Sequence, residues 1–232
     1  MLLRAIDIET TGLEPGHAIV EIGWCDIWFD DGKWKHADAP SDILVNPGRQ
    51  IPPVSSAVHH IVDADVVDKP TFAEACASAD LFSPDVTAYV AHNAKFEASF
   101  LPPTVAPLIC TYKLGITFCP QAPGHKLQEL RYWLKLQVDP NIANESHRAG
   151  PDAYVCAALM TRMLNKLADK GLTVDRAIEI SNNPVVLPFL TFGKHAMQPC
   201  AEVPSSYWRW CLSQDMDENV KHTAFHYLNQ QR

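Results

Sequence analysis

From residue 2 the chain reads LLRAIDIE, an apolar run whose polar positions alternate with a period of two. On a pleated backbone residues i and i+2 share a face, so a strand here puts Ala5, Asp7 and Glu9 on one side and Ile6 and Ile8 on the other. A second run, AIVEIGWCDIWF (18–29), is rich in β-branched and aromatic residues, and the Asp31-Gly32 pair after it predicts a hairpin into a third strand that ends near ILVNPG. The segment 54–80 reads as short helices punctuated by prolines. VTAYVAHN (86–93) is a compact strand followed by a helix over about 94–100, and PLICTY (107–112) is a fifth strand followed by helices over 112–118 and 126–135. From Pro151 to about Ala168, Tyr154, Val155, Ala158, Leu159, Met163 and Leu167 recur at the spacing of a long amphipathic helix.

Strands joined by short links, then strands alternating with helices, predict an α/β fold: a mixed five-stranded sheet flanked by helices. The stretch NNPVVLPFLTFGKH (182–195) breaks that pattern with prolines and a glycine, and two more helices are expected over 204–214 and 216–230. Residues 1–182 therefore read as the main domain and 183–232 as a small, mainly helical C-terminal module. Internal repeats and low-complexity tracts are absent from the sequence.

With 47% hydrophobic and 20% charged residues among 232, the chain has the means to bury a sizeable core. Arg4, Asp7 and Glu9 interrupt the one candidate signal-peptide core, and no apolar run reaches the ~18–20 residues of a membrane span. Seven cysteines, odd in number and without a C-x-x-C, suggest neither a disulfide framework nor a zinc knuckle. The expected location is the cytoplasm, with no membrane partner. A net charge of -8 argues against a broad phosphate-gripping surface. It leaves open a nucleic-acid enzyme whose site carries metal ions, because bound divalent ions dominate the local charge in such a site.

Two carboxylates on one pleat repel, so Asp7 and Glu9 call for a positive species between them. A lone D-x-E is ordinarily a solvated strand end. Two later acids change its meaning. In YVAHNAKFE, Asn93 is a candidate N-cap that places Glu97 near the end of a first helical turn, where the bland role is to complement the helix dipole. In SHRAGPDAYV, Pro151 fits only a helix's first turn, which puts Asp152 in that turn and His147 in the loop ahead, free to fold back beside it. The spacing H-x-x-x-x-D alone means nothing, since His60 and Asp65 match it too.

In this order and on these elements, AIDIETTGL, YVAHNAKFE and SHRAGPDAYVCAALM resemble the three exonuclease motifs of the DEDDh (DnaQ-like) 3′–5′ exonucleases, which have a ribonuclease H-like fold. AVHHIVDADVVDKP and LTFGKH…YWRWCL extend the likeness to one branch of that family over nearly the whole chain. One departure stands out: Glu97 occupies the place of the second motif's aspartate. The resemblance implies hydrolysis of DNA from a free 3′ end, releasing nucleoside 5′-monophosphates, with two Mg²⁺ or Mn²⁺ ions ~3.5–4 Å apart clamping the reacting oxygens. It implies that Asp7 bridges both ions, Glu9 and Asp152 complete the nucleophile side, and Glu97 serves the leaving-group side. His147 is then the general base, suited near neutrality by a histidine's ordinary pKa of ~6.5.

Thr10, Thr11 and Gly12 make a turn that lets backbone approach the terminal nucleotide, and Leu13 follows where it either presses on the last base or packs in the core. By the same resemblance, His59, Asn93 and Phe96 bind substrate. Tyr207, Trp208, Trp210 and Leu212 fall at helical spacing and read as core rather than as a base-stacking platform. Glu218, His222 and His226 lack a further ligand for zinc, and Glu21 reads as structural. RNA remains an alternative substrate, because nothing in the motifs reads a 2′-hydroxyl. A catalytically impaired nucleic-acid-binding protein is the other alternative, set against it by the intact Asp7, Glu9, His147 and Asp152.

Overall fold

Strand β1 (Leu2–Thr10) runs through the middle of the sheet, and β2 (Ile19–Asp30) pairs with it antiparallel from Leu2↔Trp28 to Thr10↔Ile19. The computed structural model describes residues 1–14, 16–102 and 106–230. The Asp31-Gly32 hairpin forms as its sequence predicts: both residues take positive φ, 49° and 75°, the primed geometry that matches strand twist. The third strand differs from expectation. It divides into β3 (Lys33–His36) and β4 (Ser41–Leu44), which pair with opposite ends of β2. Between them Ala37 donates to Asp26 O, and Pro40, lacking an N–H, precedes β4. Among the described residues six strands therefore fill the sheet along the order β3-β2-β1-β5-β6, with β4 beside β2.

Helices α1 (Pro53–His59), α2 (Asp63–Val66) and α3 (Phe72–Ser78) follow, and the decoy Asp65 accepts from Val62 N–H at the start of α2. β5 (Val86–Ala91) leads to the single turn α4 (Lys95–Ala98), shorter than expected. β6 (Leu108–Cys110) leads to α5 (Thr111–Phe118), α6 (Leu127–Trp133) and α7 (Pro140–Ala143). The long helix is α8 (Ala149–Leu167), followed by α9 (Val174–Asn182), α10 (Ser205–Ser213) and α11 (Glu218–Gln230). Neither α7 nor α9 is anticipated by the pattern; both are short and start from side-chain caps, Asp139 on Asn141 N–H and Thr173 on Arg176 N–H.

The two faces of β1 bury into different cores, as the period-two reading requires. Leu3 and Ala5, with Cys25 and Ile27 of β2, pack under Val155, Leu159 and Met163 of α8. Ile6 and Ile8 pack on the other side with Tyr89, Leu81 and Ala75. Burying a side chain of this size stabilises by ~1.5–3 kcal/mol, which is why the register of β1 cannot slip. Trp208 is fully buried with Tyr207, Cys211, Leu190 and Ala224, so the late aromatic cluster is core. All seven cysteines are free thiols. Among the described residues no helix is long and apolar enough to cross a membrane.

Candidate active site

Parallel pairing between β1 and β5 ends at Ala5↔Val90, whereas β1 continues beside β2 to Thr10. A crevice therefore opens at the carboxyl ends of the parallel strands, the usual place for a site in such a sheet. Asp7 and Glu9 lie on the α8 face of β1, half-buried. Opposite them on β2 stand Gly23 and Glu21. A Cβ at Gly23 would collide with the backbone of Ala149 and Gly150, so the glycine is what lets α8 begin directly over Asp7. Arg148 at the N-cap supplies no side-chain cap. Instead the fully buried Glu21 accepts from Ala149 N–H at 2.9 Å and from Arg148 Nε at 3.0 and 3.1 Å. The structural role read for Glu21 is thus the anchoring of α8 to β2, complementing the helix's positive end.

That anchoring brings together residues far apart in sequence. Glu9, His147 and Asp152 each present a ligand atom within 4.8 Å of the others. Asp152 Oδ2 accepts from His147 N–H at 2.8 Å, folding the loop back as the sequence suggests, with His147 at φ 63°. Asp152 Oδ1 accepts from Gln128 Nε2 at 3.2 Å. The imidazole of His147 is exposed to the crevice. Glu97 is 2% exposed and its Oε2 is buried with no hydrogen-bond partner among the described residues. A carboxylate so placed does more than complement a helix dipole: an unpaired buried oxygen is costly unless something fills it.

The electrostatics point the same way. Burial, then Asp152, Glu97, Glu9 and Glu21 in that order, pushes the Asp7 carboxyl well above the usual range. Burial first, with Asp152 and Glu21 behind it, raises Glu9 to about 8. Burial and Glu9 raise Glu97 to about 8. Asp152 is raised by burial, against the opposing bonds from His147 and Gln128. A cluster of acids that cannot all ionise by itself, with one oxygen left unpartnered, fits divalent cations as its missing component.

The other site residues fall as follows. Thr10 and Thr11 are buried in the turn: Thr10 Oγ1 donates to Gly12 O at 2.7 Å, and Thr11 Oγ1 accepts from Ala18 N–H at 3.0 Å. Space above Gly12 is taken by the His17 imidazole. Leu13 is 78% exposed, which excludes the core-packing alternative. Phe96 stands half-exposed against Phe100 at a centroid distance of 5.1 Å. Asn93 is exposed at φ 78°, and the N-cap position belongs to Ala94. Asparagine here makes the left-handed turn between β5 and α4, a conformation its short side chain tolerates, rather than capping the helix. His59 is 2% exposed, with Nδ1 accepting from Ile61 N–H at 3.1 Å, and its Nε2 is buried without a hydrogen-bond partner among the described residues, close to the Thr10 backbone, Glu21 and Arg148. Glu218, of the late acid–histidine series, is paired with Lys113 at 3.2 Å.

Gln128, Glu21 and Arg148 reach the site without a sequence signal that couples them to it. The nearest clue was Glu21 itself, a charge in the middle of an apolar strand.

The RNase_T family model, described as an exonuclease, matches residues 5–160. Exodeoxyribonuclease 10 of Escherichia coli K12 is 34% identical over 236 residues, covering 98% of this chain and 99% of the relative. The DNA polymerase III subunit epsilon of Treponema pallidum is 35% identical over 172 residues, covering 69% of this chain and 75% of the relative. Among solved structures, exonuclease X in complex with 5′ overhanging duplex DNA superposes with a TM-score of 0.62 at 34% identity. It covers 77% of this chain and 99% of that one. The branch suggested by AVHHIVDADVVDKP and LTFGKH…YWRWCL is thus the exonuclease X one, and the ribonuclease H-like sheet is that of its relatives.

Proposed function

The chain belongs to the RNase_T exonuclease family, and from that premise we propose that it hydrolyses DNA from its 3′ ends, one nucleotide at a time, in a metal-dependent reaction that releases nucleoside 5′-monophosphates. The observation that carries the residue assignment is the convergence of Glu9, His147 and Asp152 within 4.8 Å beside a buried, unpartnered Glu97 oxygen. Asp7, Glu9, Glu97 and Asp152 would hold two Mg²⁺ or Mn²⁺ ions; such ions generate a nucleophile from bound water and stabilise charge on the attacking and leaving oxygens.

The chain's own residues do the rest. His147, exposed in the loop and tethered through its N–H to Asp152, accepts the proton of the attacking water at its imidazole. Leu13, exposed on the turn after β1, presses on the terminal base, and Phe96 and Asn93, at the β5–α4 turn, contact the same nucleotide. Thr10 and Gly12 offer backbone at the turn. Glu97 keeps the ligand role despite its extra methylene, because the start of α4 follows a left-handed turn that sets its backbone and burial confines its carboxylate. Residues 1–182 form the catalytic unit and 183–232 an attached module with its own core. The protein acts in the cytoplasm.

The test is cleavage of 5′-end-labelled single-stranded DNA, duplex DNA and RNA in Mg²⁺, Mn²⁺ or EDTA, with chromatography of the released products. Shortening of DNA from the 3′ end with 5′-monophosphates, abolished by EDTA, is expected. Preferential laddering of RNA would reassign the substrate, and no cleavage of any substrate in either metal would make the protein a binding module.

A further inference from the structure

The carboxylate of Asp152 is held from a side the motifs do not include. Gln128 is half-buried at the start of α6, and Arg131, one turn later on the same face, is 6% exposed. The guanidinium gives its hydrogen bonds to three neutral oxygens: Gln128 Oε1 at 3.0 Å, Asn144 Oδ1 at 2.9 Å, and Ala143 O. Ala143 ends α7 and Asn144 begins the loop that carries His147. A guanidinium only donates, so the amide oxygen of Gln128 must face Arg131 and its NH₂ must face Asp152. Gln128 Nε2 does so, donating to Asp152 Oδ1 at 3.2 Å, while Oδ2 takes His147 N–H at 2.8 Å. One buried cation thereby fixes both the amide that aims Asp152 and the chain entering the His147 loop.

We propose that Gln128 and Arg131 are positioning residues, a relay that sets the direction of the Asp152 carboxylate and the His147 loop for divalent-cation binding and turnover. The inference deepens the reading above and rests on its assignment of Asp152 as a ligand and His147 as the base. The relay works by geometry: with one lone pair of each Asp152 oxygen committed, the remaining ones have a fixed direction, and a ligand that need not be reoriented binds its ion more tightly. A burial account of Arg131 alone predicts something else, a loss of stability with no selective loss at the site. A buried charge whose acceptors are all neutral is a poor stabilising device, and this one lies a single amide away from a cluster of acids.

The variants are Gln128→Met, which keeps volume and removes both bonds, Gln128→Glu, which keeps the acceptor for Arg131 and replaces the donor with a negative charge, and Arg131→Lys. The full chain is used throughout. Mn²⁺ binding is measured by titration calorimetry without substrate, kcat and KM on single-stranded DNA are measured separately, and thermal unfolding serves as the control. Outer partners of metal ligands are typically worth about 10–100-fold in affinity or activity. Gln128→Met should weaken Mn²⁺ binding and lower kcat within that range, with KM for DNA and the unfolding transition little changed. Gln128→Glu should be no better than Gln128→Met, because it cannot donate to Asp152. Arg131→Lys should fall between wild type and Gln128→Met; if it fails to fold, the Gln128 pair still decides. Gln128→Met or Gln128→Glu binding Mn²⁺ and turning over within about twofold of a wild type that does both would overturn the relay and leave the proposed function standing. A wild type that neither binds Mn²⁺ nor cleaves DNA would overturn both.

Discussion

Substituting Gly23 tests how the site is assembled, because this position on β2 lies outside all three acidic motifs and far in sequence from Glu97 and Asp152. Its Cα faces Asp7 across the β1–β2 ladder, and an added Cβ would run into the backbone of Ala149 and Gly150. Backbone cannot rotate aside as a side-chain tip can. To regain an ordinary carbon contact of ~3.5–4.0 Å, the start of α8 must retreat by about 1 Å or more. That motion carries Asp152 away from Glu9 and strains the Glu21 bonds to Arg148 and Ala149. Overpacking of this kind costs about 1–3 kcal/mol of stability, and a misplacement of ~1 Å at a reacting centre costs about 10²-fold in rate. Gly23→Ala should therefore melt earlier but cooperatively, and its kcat on 3′-ended DNA should fall about a hundredfold. Gly150→Ala is the control on the same turn of α8. Its Cβ would meet the exposed Asp42 carboxylate at 2.6 Å, a group free to swing away, so its kcat should stay within a few-fold of wild type. Wild-type kcat in a folded Gly23→Ala protein would refute the claim that the close approach of α8 to β2 builds the site.

Three further outcomes follow from the same geometry. Glu97→Ala should be nearly inactive, while Glu97→Asp should stay active and change the ratio of Mn²⁺- to Mg²⁺-supported rates; wild-type turnover by Glu97→Ala would reduce Glu97 to a buried bystander. Glu9 and Glu97 are raised to about 8, so the folded chain holds protons there that the unfolded chain, titrating near ~4.3, has released. Stability of the metal-free protein should accordingly fall as pH rises from about 4.5 to 8, by up to ~1.4 kcal/mol per pH unit for each such proton, and the gain in Tm on adding Mn²⁺ should be larger at pH 8 than at pH 6. A Mn²⁺ gain that shrinks with rising pH would contradict the raised carboxyls. Deleting residues from Asn183 onward should leave a folded unit that still cleaves. Its Tm should drop, because Lys113 Nζ loses Asn183 O and Glu218 and the main core loses Val185. Insoluble product or a non-cooperative melt would show that the tail belongs to the catalytic core.

What the sequence made legible was local. The alternation in LLRAIDIE placed Asp7 and Glu9 on one face, Pro151 marked the first turn of α8, and Asp31-Gly32 turned the hairpin, each because one or two residues restrict backbone geometry strongly. The long-range partners were not legible. Glu21 looked like an isolated charge in an apolar strand until α8 folded onto it, and nothing in LQELRYW announces that Gln128 reaches Asp152. Asn93 misled for a related reason: asparagine favours both N-caps and left-handed turns, and only the chain direction leaving β5 decides between them. His59 shows the same limit: nothing around AVHHIV announces that α1 buries its imidazole near Thr10 and Glu21 with Nε2 left unpartnered among the described residues. The break between β3 and β4 was signalled by Pro40 alone, too little to divide a strand on paper.

The most direct test of the account is the Asp7→Ala protein beside wild type on 5′-end-labelled single-stranded DNA at saturating Mg²⁺. The charges of Asp152, Glu97 and Glu9 all act on the Asp7 carboxyl, so its removal should abolish the 3′-end ladder that wild type produces while the fold stays intact. Retention of even a tenth of the wild-type rate by Asp7→Ala would contradict the assignment of this carboxylate cluster as the metal-dependent catalytic centre.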